Sequence, residues 1–252
     1  MSNALVRKLS GYTTLSDEEE SALRNAPTHV RRVGARDDLV QEGDRTDGVN
    51  LVLSGFAARY KTLEDGRRQF LAYFVPGDFC DLRVFVLERM DHSIMTVSPS
   101  MVANITKETV NNLTERFPRL TRALWWSTLV EEAITREWLM NIGQRTAYER
   151  AAHLFCELCA RLDAVGLAEG RGYDFPVTQM ELGDTLGLSA VHVNRTLQEL
   201  RRDGLITLGS GRLQILNLER LQQVSLFNPD YLHLRDRDKD AGSGHPRERA
   251  IA

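Results

Sequence analysis

Hydrophobic and polar positions change their period along the chain, and the changes divide it into stretches of different structure. Residues 5–26 are polar with Leu15 and Leu23 as apolar anchors, a pattern that predicts helix. Between residues 28 and 106, short apolar runs alternate with turn residues, which is typical of an all-β sandwich or barrel. The predicted strands are Leu51–Leu53, Phe56–Lys61, Phe70–Val75, Ile94–Val97 and Met101–Ile105.

The second half of the chain has a helical period instead. A long helix is predicted over residues 118–142, with Pro118 in its first turn and Gly143 at its end. Its many apolar positions would not suit a helix that faces solvent, so it requires a packing partner. Another amphipathic helix is predicted over residues 145–165. From Arg235 the chain is charged and has one large apolar residue, which predicts a disordered tail.

Residues 176–216 show the element order of a winged helix-turn-helix. Thr178 and Glu181 have the spacing of a capping box, which predicts a helix start, and Gly187 predicts its end. Ser189 is a suitable N-cap for a second helix. Two helices joined by such a turn place the second one where it can enter a major groove of DNA. Short strands on both sides of Gly209-Ser210-Gly211 then predict a wing hairpin.

One face of the second helix is predicted to be buried, because Val193, Leu197 and Leu200 recur at helical spacing. The opposite face is therefore the candidate DNA-reading surface. The candidate DNA-binding residues are Thr178, Ser189, Ala190, Val191, His192, Asn194, Arg195, Gln198, Arg202 and Arg212. From Ser189 to Arg212, four arginines oppose two acids, a modest excess that predicts help from helix N-termini and from a second copy.

Length and composition agree with a cytoplasmic regulator. At 252 residues the chain is long enough for two domains, and its 42% hydrophobic and 27% charged residues are ordinary values for a globular protein. No apolar run approaches the roughly 18 residues that a membrane span needs, so no membrane partner is expected. Three cysteines indicate a reducing compartment rather than a disulfide framework. The net charge of −3 does not by itself indicate a nucleic-acid partner.

The element order, the segment LVLSGFAARYKTLEDGRRQFLAYFVPGDF (residues 51–79) and the winged-helix segment resemble the CRP/FNR superfamily of bacterial transcription regulators. The resemblance covers about residues 5–227. It implies an α+β fold: a β-roll (a jelly roll of the cyclic-nucleotide-binding type) over residues 1–117, a dimerisation helix over 118–143, and a winged helix over 144–234 before the tail 235–252.

The same resemblance implies the partners. They are a second copy of the chain and palindromic double-stranded DNA, with RNA polymerase and a small-molecule effector as further candidates. The long helix would form a coiled-coil seam between the two copies. The candidate seam residues are Leu120, Leu124, Ile134 and Trp138.

The effector pocket departs from the pattern of the cyclic-AMP-binding members. Those members follow the Gly-Asp-Phe turn with Gly-Glu-Leu and later have an Arg-Ser or Arg-Thr pair, whereas this chain has Cys80-Asp81-Leu82 and His92-Ser93. A neutral imidazole cannot make the bidentate pairing that a guanidinium makes with a phosphate. The sequence therefore predicts a degenerate pocket that takes an unidentified ligand or none. The candidate pocket residues are Asp81, Leu82, Arg83, His92 and Ser93.

Two alternatives for this region stay open. Arg83 or Arg89 would supply the missing cation in a cyclic-nucleotide-responsive regulator. In a vestigial pocket, Asp81 would only cap a helix from Leu82 to Arg89. A ligand-binding module without DNA activity is a third interpretation, which the winged helix disfavours.

Other chemistry finds little support in the sequence. The iron–sulfur members of the family use N-terminal cysteines, and this chain has none before Cys80. His29 and His92 lie in no haem-specific motif. Cys156 and Cys159 have the spacing of a metal or redox pair but lie on an amphipathic helix without a second pair, so we interpret them as core residues. No catalytic motif is found, and we expect no enzyme activity, cofactor or metal.

Overall fold

A computed structural model describes residues 3–82, 87 and 89–234. The helices are Asn3–Ser10 (α1), Asp17–Asn25 (α2), Lys107–Arg116 (α3), Pro118–Gln144 (α4), Ala147–Ala164 (α5), Gln179–Leu186 (α6), Ala190–Arg202 (α7) and Leu218–Ser225 (α8). The strands are His29–Val33 (β1), Asp38–Val40 (β2), Gly48–Ser54 (β3), Ala57–Thr62 (β4), Arg68–Phe74 (β5), Ser93–Thr96 (β6), Ser100–Thr106 (β7), Gly172–Asp174 (β8), Ile206–Gly209 (β9) and Arg212–Ile215 (β10). A short 3₁₀ turn, Pro229–Leu232, follows α8.

Two antiparallel sheets form the N-terminal β-roll, with strand orders β1-β7-β3 and β2-β6-β4-β5. Its core contains Phe70, Tyr73, Phe74 and Phe79, all at most 2% exposed. Each of the five predicted strands overlaps a strand of the roll. Strand β1 was not predicted, because its residues are exposed at every position but the last and so show no alternation.

The N-terminal segment differs from the prediction, since residues 5–26 form two helices rather than one. Ser16 starts α2 through a capping box with Glu19, a local signal that ends the preceding loop. The long helix α4 continues through Gly143 to Gln144, and Arg145 then turns to an extended conformation. The predicted Leu82–Arg89 helix falls largely outside the described residues, as does the predicted tail 235–252.

The predicted seam on α4 requires a correction. Leu120, Leu124, Ile134 and Trp138 are between 0% and 7% exposed within a single chain, because this face of α4 packs on α1, α3, β5 and α5. Most of the apolar side chains that remain exposed lie on another face, whereas Ile142 lies one turn after Trp138 on the same side. The exposed apolar side chains of α4 are Trp125, Trp126, Leu129, Leu139, Met140 and Ile142.

A chain of buried charges joins the β-roll to the C-terminal helices. The Asp78 carboxylate lies 2.6 Å from Lys8 Nζ of α1 and 2.7 Å from Arg161 Nη2 of α5. Arg161 also lies 3.2 Å from Glu157, whose carboxylate accepts hydrogen bonds from Trp138 Nε1 and the Tyr231 hydroxyl. We call the four charged residues Lys8, Asp78, Arg161 and Glu157 the junction network.

The ionisation of the junction network follows from its pairing. Burial alone would raise the pKa of Asp78, but the charges of Lys8 and Arg161 outweigh it, so the pKa lies below its usual range. Burial raises the pKa of Glu157, an effect that Arg161 and two hydrogen bonds only partly oppose. Asp78 is therefore held as a carboxylate, and the two cations are its charge partners.

A second set of contacts fixes helix α6 on the β-roll. Arg68 of β5 pairs with Asp184 at 2.8 Å, and the hydroxyls of Tyr73 and Thr185 lie 2.6 Å apart. Arg36 Nε lies 3.0 Å from a carboxylate oxygen of Glu181. Because these contacts involve the first helix of the helix-turn-helix, they set how that domain sits on the roll.

His153 of α5 is fully buried against α4 and the C-terminal turn. Its ring stacks on Tyr231, and its Nδ1 lies 3.1 Å from the side-chain amide of Asn141. Nε2 lies 3.4 Å from Glu137 but makes no hydrogen bond within the described part of the chain. Burial, with a contribution from the charge of Arg145, lowers the pKa of His153 to about 3.

This buried imidazole predicts acid sensitivity. Below pH ~6.5 the unfolded chain protonates His153 while the folded chain does not, so stability falls as pH drops from ~6.5 towards 3. Each pH unit in that window costs about 1.4 kcal/mol. We expect His153→Gln to show a flatter dependence of unfolding free energy on pH, measured by urea denaturation at pH 7.0 and 4.5. The exposed control His29→Gln should follow the wild type, and equal slopes for all three proteins would contradict the assignment.

Candidate nucleic-acid interface and effector pocket

Helix α6 begins and ends as its sequence predicts. The Thr178 hydroxyl accepts a hydrogen bond from the Glu181 backbone N–H, and the Glu181 carboxylate accepts one from the Thr178 N–H at 2.8 Å. Gly187 ends the helix in a left-handed conformation, with φ of 66°. Ser189 then caps α7 by accepting from the His192 N–H.

Helix α7 buries one face and exposes the other. Val193, Leu197 and Leu200 are at most 1% exposed, as predicted. Of the candidate DNA-binding residues on α7, Asn194 is half-buried and the others are exposed. The exposed ones are Ala190, Val191, His192, Arg195, Gln198 and Arg202.

Several polar side chains on α7 have protein partners, and Arg195 and Asn194 are two of them. Arg195 Nε lies 3.1 Å from Glu199 one turn later, while 78% of the arginine side chain stays exposed. The Asn194 side-chain amide donates to Gln179 of α6 at 3.2 Å. Gln179 was not among the candidate residues, because the periodicity of α7 alone does not show which α6 residue lies beside Asn194.

The wing is a three-stranded sheet of order β8-β10-β9. Ser210 and Gly211 form its tip, both with positive φ. Arg212 is half-exposed beside the tip and lies 3.3 Å from Asp174 of β8. Strand β8 was not predicted, because Gly172–Asp174 is too short to show alternation.

A cavity of about 440 Å³ lies between the β-roll and α4. Its walls include Arg59, Lys61, Leu71, His92 and Glu131, and we call it the roll pocket. Among the predicted pocket residues, His92 lines the cavity, whereas Asp81, Leu82 and Ser93 do not. Ser93 instead accepts a hydrogen bond from the Glu42 N–H at 2.9 Å. Arg83 lies outside the described residues.

Arg59 is the buried cation of the roll pocket. It is 7% exposed, donates from Nε to His92 Nε2 at 3.2 Å, and lies 3.4 Å from Glu131 of α4. Asp81 lies 3.3 Å from the same imidazole nitrogen, and Asp91 lies 2.6 Å from Nδ1. Burial and the neighbouring Arg59 lower the pKa of His92.

Comparisons with known proteins match both halves of the chain. The family model described as "Cyclic nucleotide-binding domain" matches residues 30–117, and "Crp-like helix-turn-helix domain" matches residues 149–224. The transcriptional activator protein FnrL of Cereibacter sphaeroides is 30% identical over 78% of this chain and 79% of its own. The chain belongs to the CRP/FNR family of transcription regulators. It is therefore a DNA-binding regulator and not an enzyme.

Further relatives agree with this CRP/FNR assignment. The nitrogen fixation regulation protein FixK of Bradyrhizobium diazoefficiens is 28% identical over 83% of this chain and 88% of its own. The solved structure of FixK2 from Bradyrhizobium japonicum has a TM-score of 0.71 at 24% identity and covers 79% of this chain and 98% of that one. The c-di-GMP-responsive regulator CLP of Xanthomonas campestris has a TM-score of 0.62 at 19% identity, over 80% and 100% of the two chains. These structures share the fold.

Arg59 is a buried residue of the roll pocket that the sequence did not indicate. Arg59 lies inside the predicted strand Phe56–Lys61, whereas the candidate cations of the pocket were predicted after the Gly77-Asp78-Phe79 turn. The available signal was an arginine that follows Ala57-Ala58 at the buried start of β4. Such a position requires a buried partner, and the long helix α4 supplies it as Glu131.

Cys156 and Cys159 of this regulator are core residues, as predicted, and Cys80 is buried as well. Cys80, Cys156 and Cys159 are all buried and free. Burial raises the pKa of the Cys156 thiol to about 12 and that of Cys159 to about 11, which disfavours the reactive thiolate. Across the described residues, no group of three or more potential ligands is placed to hold a metal ion. None of the described helices combines the length and apolarity of a membrane span.

Proposed function

We propose that this CRP/FNR regulator binds a palindromic DNA site as a homodimer, with the exposed face of α7 reading bases in the major groove. The observation that carries the proposal is the exposure of this face of α7 to solvent. Val193 and Leu197 on the opposite face are buried and hold the helix on the rest of the domain. The N-termini of α6 and α7 lie beside it and offer backbone donors for phosphates. Thr178 and Ser189 stand at these two N-termini, and Arg212 is close to the wing tip.

The composition of this face favours an unusual half-site. Ala190 and Val191 present methyl groups that suit thymine and make no hydrogen bonds to bases. Arg195 suits a guanine once it leaves Glu199, with Gln198 as a further polar contact. We therefore propose half-sites that differ from TGTGA and lie one helical turn apart, ~10 bp centre to centre.

The exposed stripe of α4 supports the homodimer. Arg122, Trp125, Leu129, Glu132, Arg136 and Leu139 follow one another at alternating spacings of three and four, so they form one stripe with the spacing of coiled-coil contacts. Three of these positions are apolar and three are charged. Trp125 and Leu139 are 74% and 73% exposed in the single chain, so a second helix would remove much apolar surface from water. This stripe replaces the seam that the sequence predicted.

The roll pocket is proposed as a site for an effector other than a cyclic nucleotide. Arg59, the cation that would meet a cyclic phosphate, is already held between His92 and Glu131. A phosphate would have to displace the Glu131 carboxylate in a buried site, where separating an ion pair is costly. A cyclic-nucleotide-responsive regulator requires that displacement if Arg59 is its cation. If Arg89 is its cation, the Arg89 guanidinium must instead turn from the Gly43 carbonyl, to which it donates at 2.9 Å.

Arg195→Ala is expected to weaken binding to the specific DNA site by ~1–3 kcal/mol and to relax preference at one base pair. The unfolding free energy should change by less than about 0.5 kcal/mol, because the side chain is exposed. Selection from a random DNA library followed by titration of single sites measures both effects. Arg67→Ala, an exposed arginine of the β4–β5 turn, is the matched control. Recovery of TGTGA half-sites, or equal affinity for both variants, would contradict the proposed readout.

Leu129→Asp is expected to weaken the dimer, because it places a carboxylate in the proposed seam. Leu63→Asp in the β4–β5 turn is the matched control, since both leucines are 57% exposed. Analytical ultracentrifugation at micromolar concentration should give a dimer for the wild type and the control. Ile134→Asp would not serve, because Ile134 is 5% exposed in its own chain and the charge would disrupt folding. A monomeric wild type would overturn the homodimer.

Cyclic AMP is expected to give no saturable heat of binding in calorimetry at micromolar concentrations. The Arg59→Gln variant should also give none, because it removes the buried cation of the roll pocket and leaves the Glu131 carboxylate there. Tight binding of cyclic AMP by the wild type that Arg59→Gln abolishes would establish the alternative. The protein would then be a cyclic-nucleotide receptor.

A further inference from the structure

A second and larger cavity, of about 810 Å³, lies where α1, α4, α5 and the C-terminal turn meet. It is distinct from the roll pocket and opens on the other side of α4. We call it the junction cavity. Its walls include Arg7, Lys8, Ser127, Glu131, Arg161 and Leu232.

Ser127 brings an unsatisfied hydroxyl to the junction cavity. The residue is 1% exposed, and its Oγ has no hydrogen-bond partner within the described part of the chain. An unpaired buried hydroxyl is costly, and a helical serine commonly satisfies it on the preceding turn. The orphaned group instead stands on the face of α4 that lines the cavity.

Two cations of α1, Arg7 and Lys8, carry more N–H groups than the acceptors that they contact. The Lys8 ammonium has three N–H groups and contacts one acceptor, Asp78, among the described residues. Arg7 donates from Nη1 to the Val165 carbonyl at 3.0 Å and forms no ion pair with the described carboxylates. Both side chains line the cavity, Lys8 deeper and Arg7 nearer solvent.

Both oxygens of Asp78, the buried carboxylate beside Lys8, are occupied. One Asp78 oxygen accepts from Lys8, and the other accepts from Arg161 and from the Val75 N–H. Glu131 pairs with Arg59 on the roll-pocket side. Beside Lys8 and Ser127 the Asp78 oxygens are already used, so a ligand that fits these two donors must supply acceptors of its own.

The rest of the wall sets the size and charge of that ligand. Aliphatic side chains cover much of it, namely Val6, Val75, Val130, Ile134, Val165 and Leu232. Glu20 and Asp163 at the rim oppose a ligand with several negative charges. A carboxylate on an aliphatic body meets these conditions better than a nucleotide or an inorganic anion.

We propose that the junction cavity binds a small aliphatic monocarboxylic acid. Its carboxylate accepts from Arg7, Lys8 and Ser127, and its apolar body packs on α4 and the C-terminal turn. Because the walls come from the β-roll end, the long helix and the C-terminal domain together, the bound acid ties these parts to one another. Glu131 lines both cavities, so an acid bound in the junction cavity also contacts the helix segment that holds the Arg59–Glu131 pair of the roll pocket.

The test is isothermal titration calorimetry of the full chain with octanoate, alongside 1-octanol and inorganic phosphate. We expect saturable binding of octanoate and none of the other two at the same concentrations. Arg7→Gln and Ser127→Ala should each weaken octanoate binding roughly tenfold, the usual effect of losing a hydrogen bond to a charged group. Arg31→Gln, an exposed arginine of β1, and Lys61→Gln in the roll pocket should leave it unchanged.

Every other outcome overturns the proposal. Equal binding of 1-octanol means an apolar cavity without a carboxylate site. Loss of binding in Lys61→Gln rather than in Arg7→Gln places the acid in the roll pocket. Octanoate binding that survives both Arg7→Gln and Ser127→Ala, or no octanoate binding at all, removes the site. Circular dichroism of each variant establishes that a loss is not a failure to fold.

Discussion

The arrangement of the two domains depends on the buried carboxylate of Asp78. It belongs to the turn that closes the β-roll, and its partners Lys8 and Arg161 come from the N-terminal helix and the C-terminal domain. Burying a charge is expensive unless it is paired and hydrogen-bonded. Moving one domain while Asp78 stays buried would leave this carboxylate without a partner, and we infer that the network favours the observed arrangement.

The domain arrangement bears on function because it determines where α7 points. The junction network holds α5, and the contact of Arg68 with Asp184 holds α6 on β5. The roll pocket and the junction cavity lie on two sides of α4 and share Glu131. A ligand in either proposed site would thus contact the same helix that carries the proposed dimer seam, and we propose this helix as the path from effector to DNA-reading surface.

Local signals were sufficient to predict much of the fold and the bounds of the two helices in the helix-turn-helix from sequence. The capping box of Thr178 and Glu181, the Gly187 stop and the Ser189 cap act within a few residues, so they could be read directly. Periodicity showed that α4 has an apolar face but did not show which elements cover it. The sequence therefore assigned this face to a seam between two copies, whereas it is buried within a single chain. Pairs such as Lys8 with Asp78, 70 residues apart, have no local signature.

The central claim is that Asp78 and Arg161 act as one coupled pair that joins the domains. A double-mutant cycle with Asp78→Asn, Arg161→Gln and the double variant, measured by urea unfolding, tests it directly. We predict a coupling free energy of about 1.5–3 kcal/mol, as expected for buried partners in one network. Effects that add to within about 0.5 kcal/mol, the behaviour of independent sites, would contradict the account.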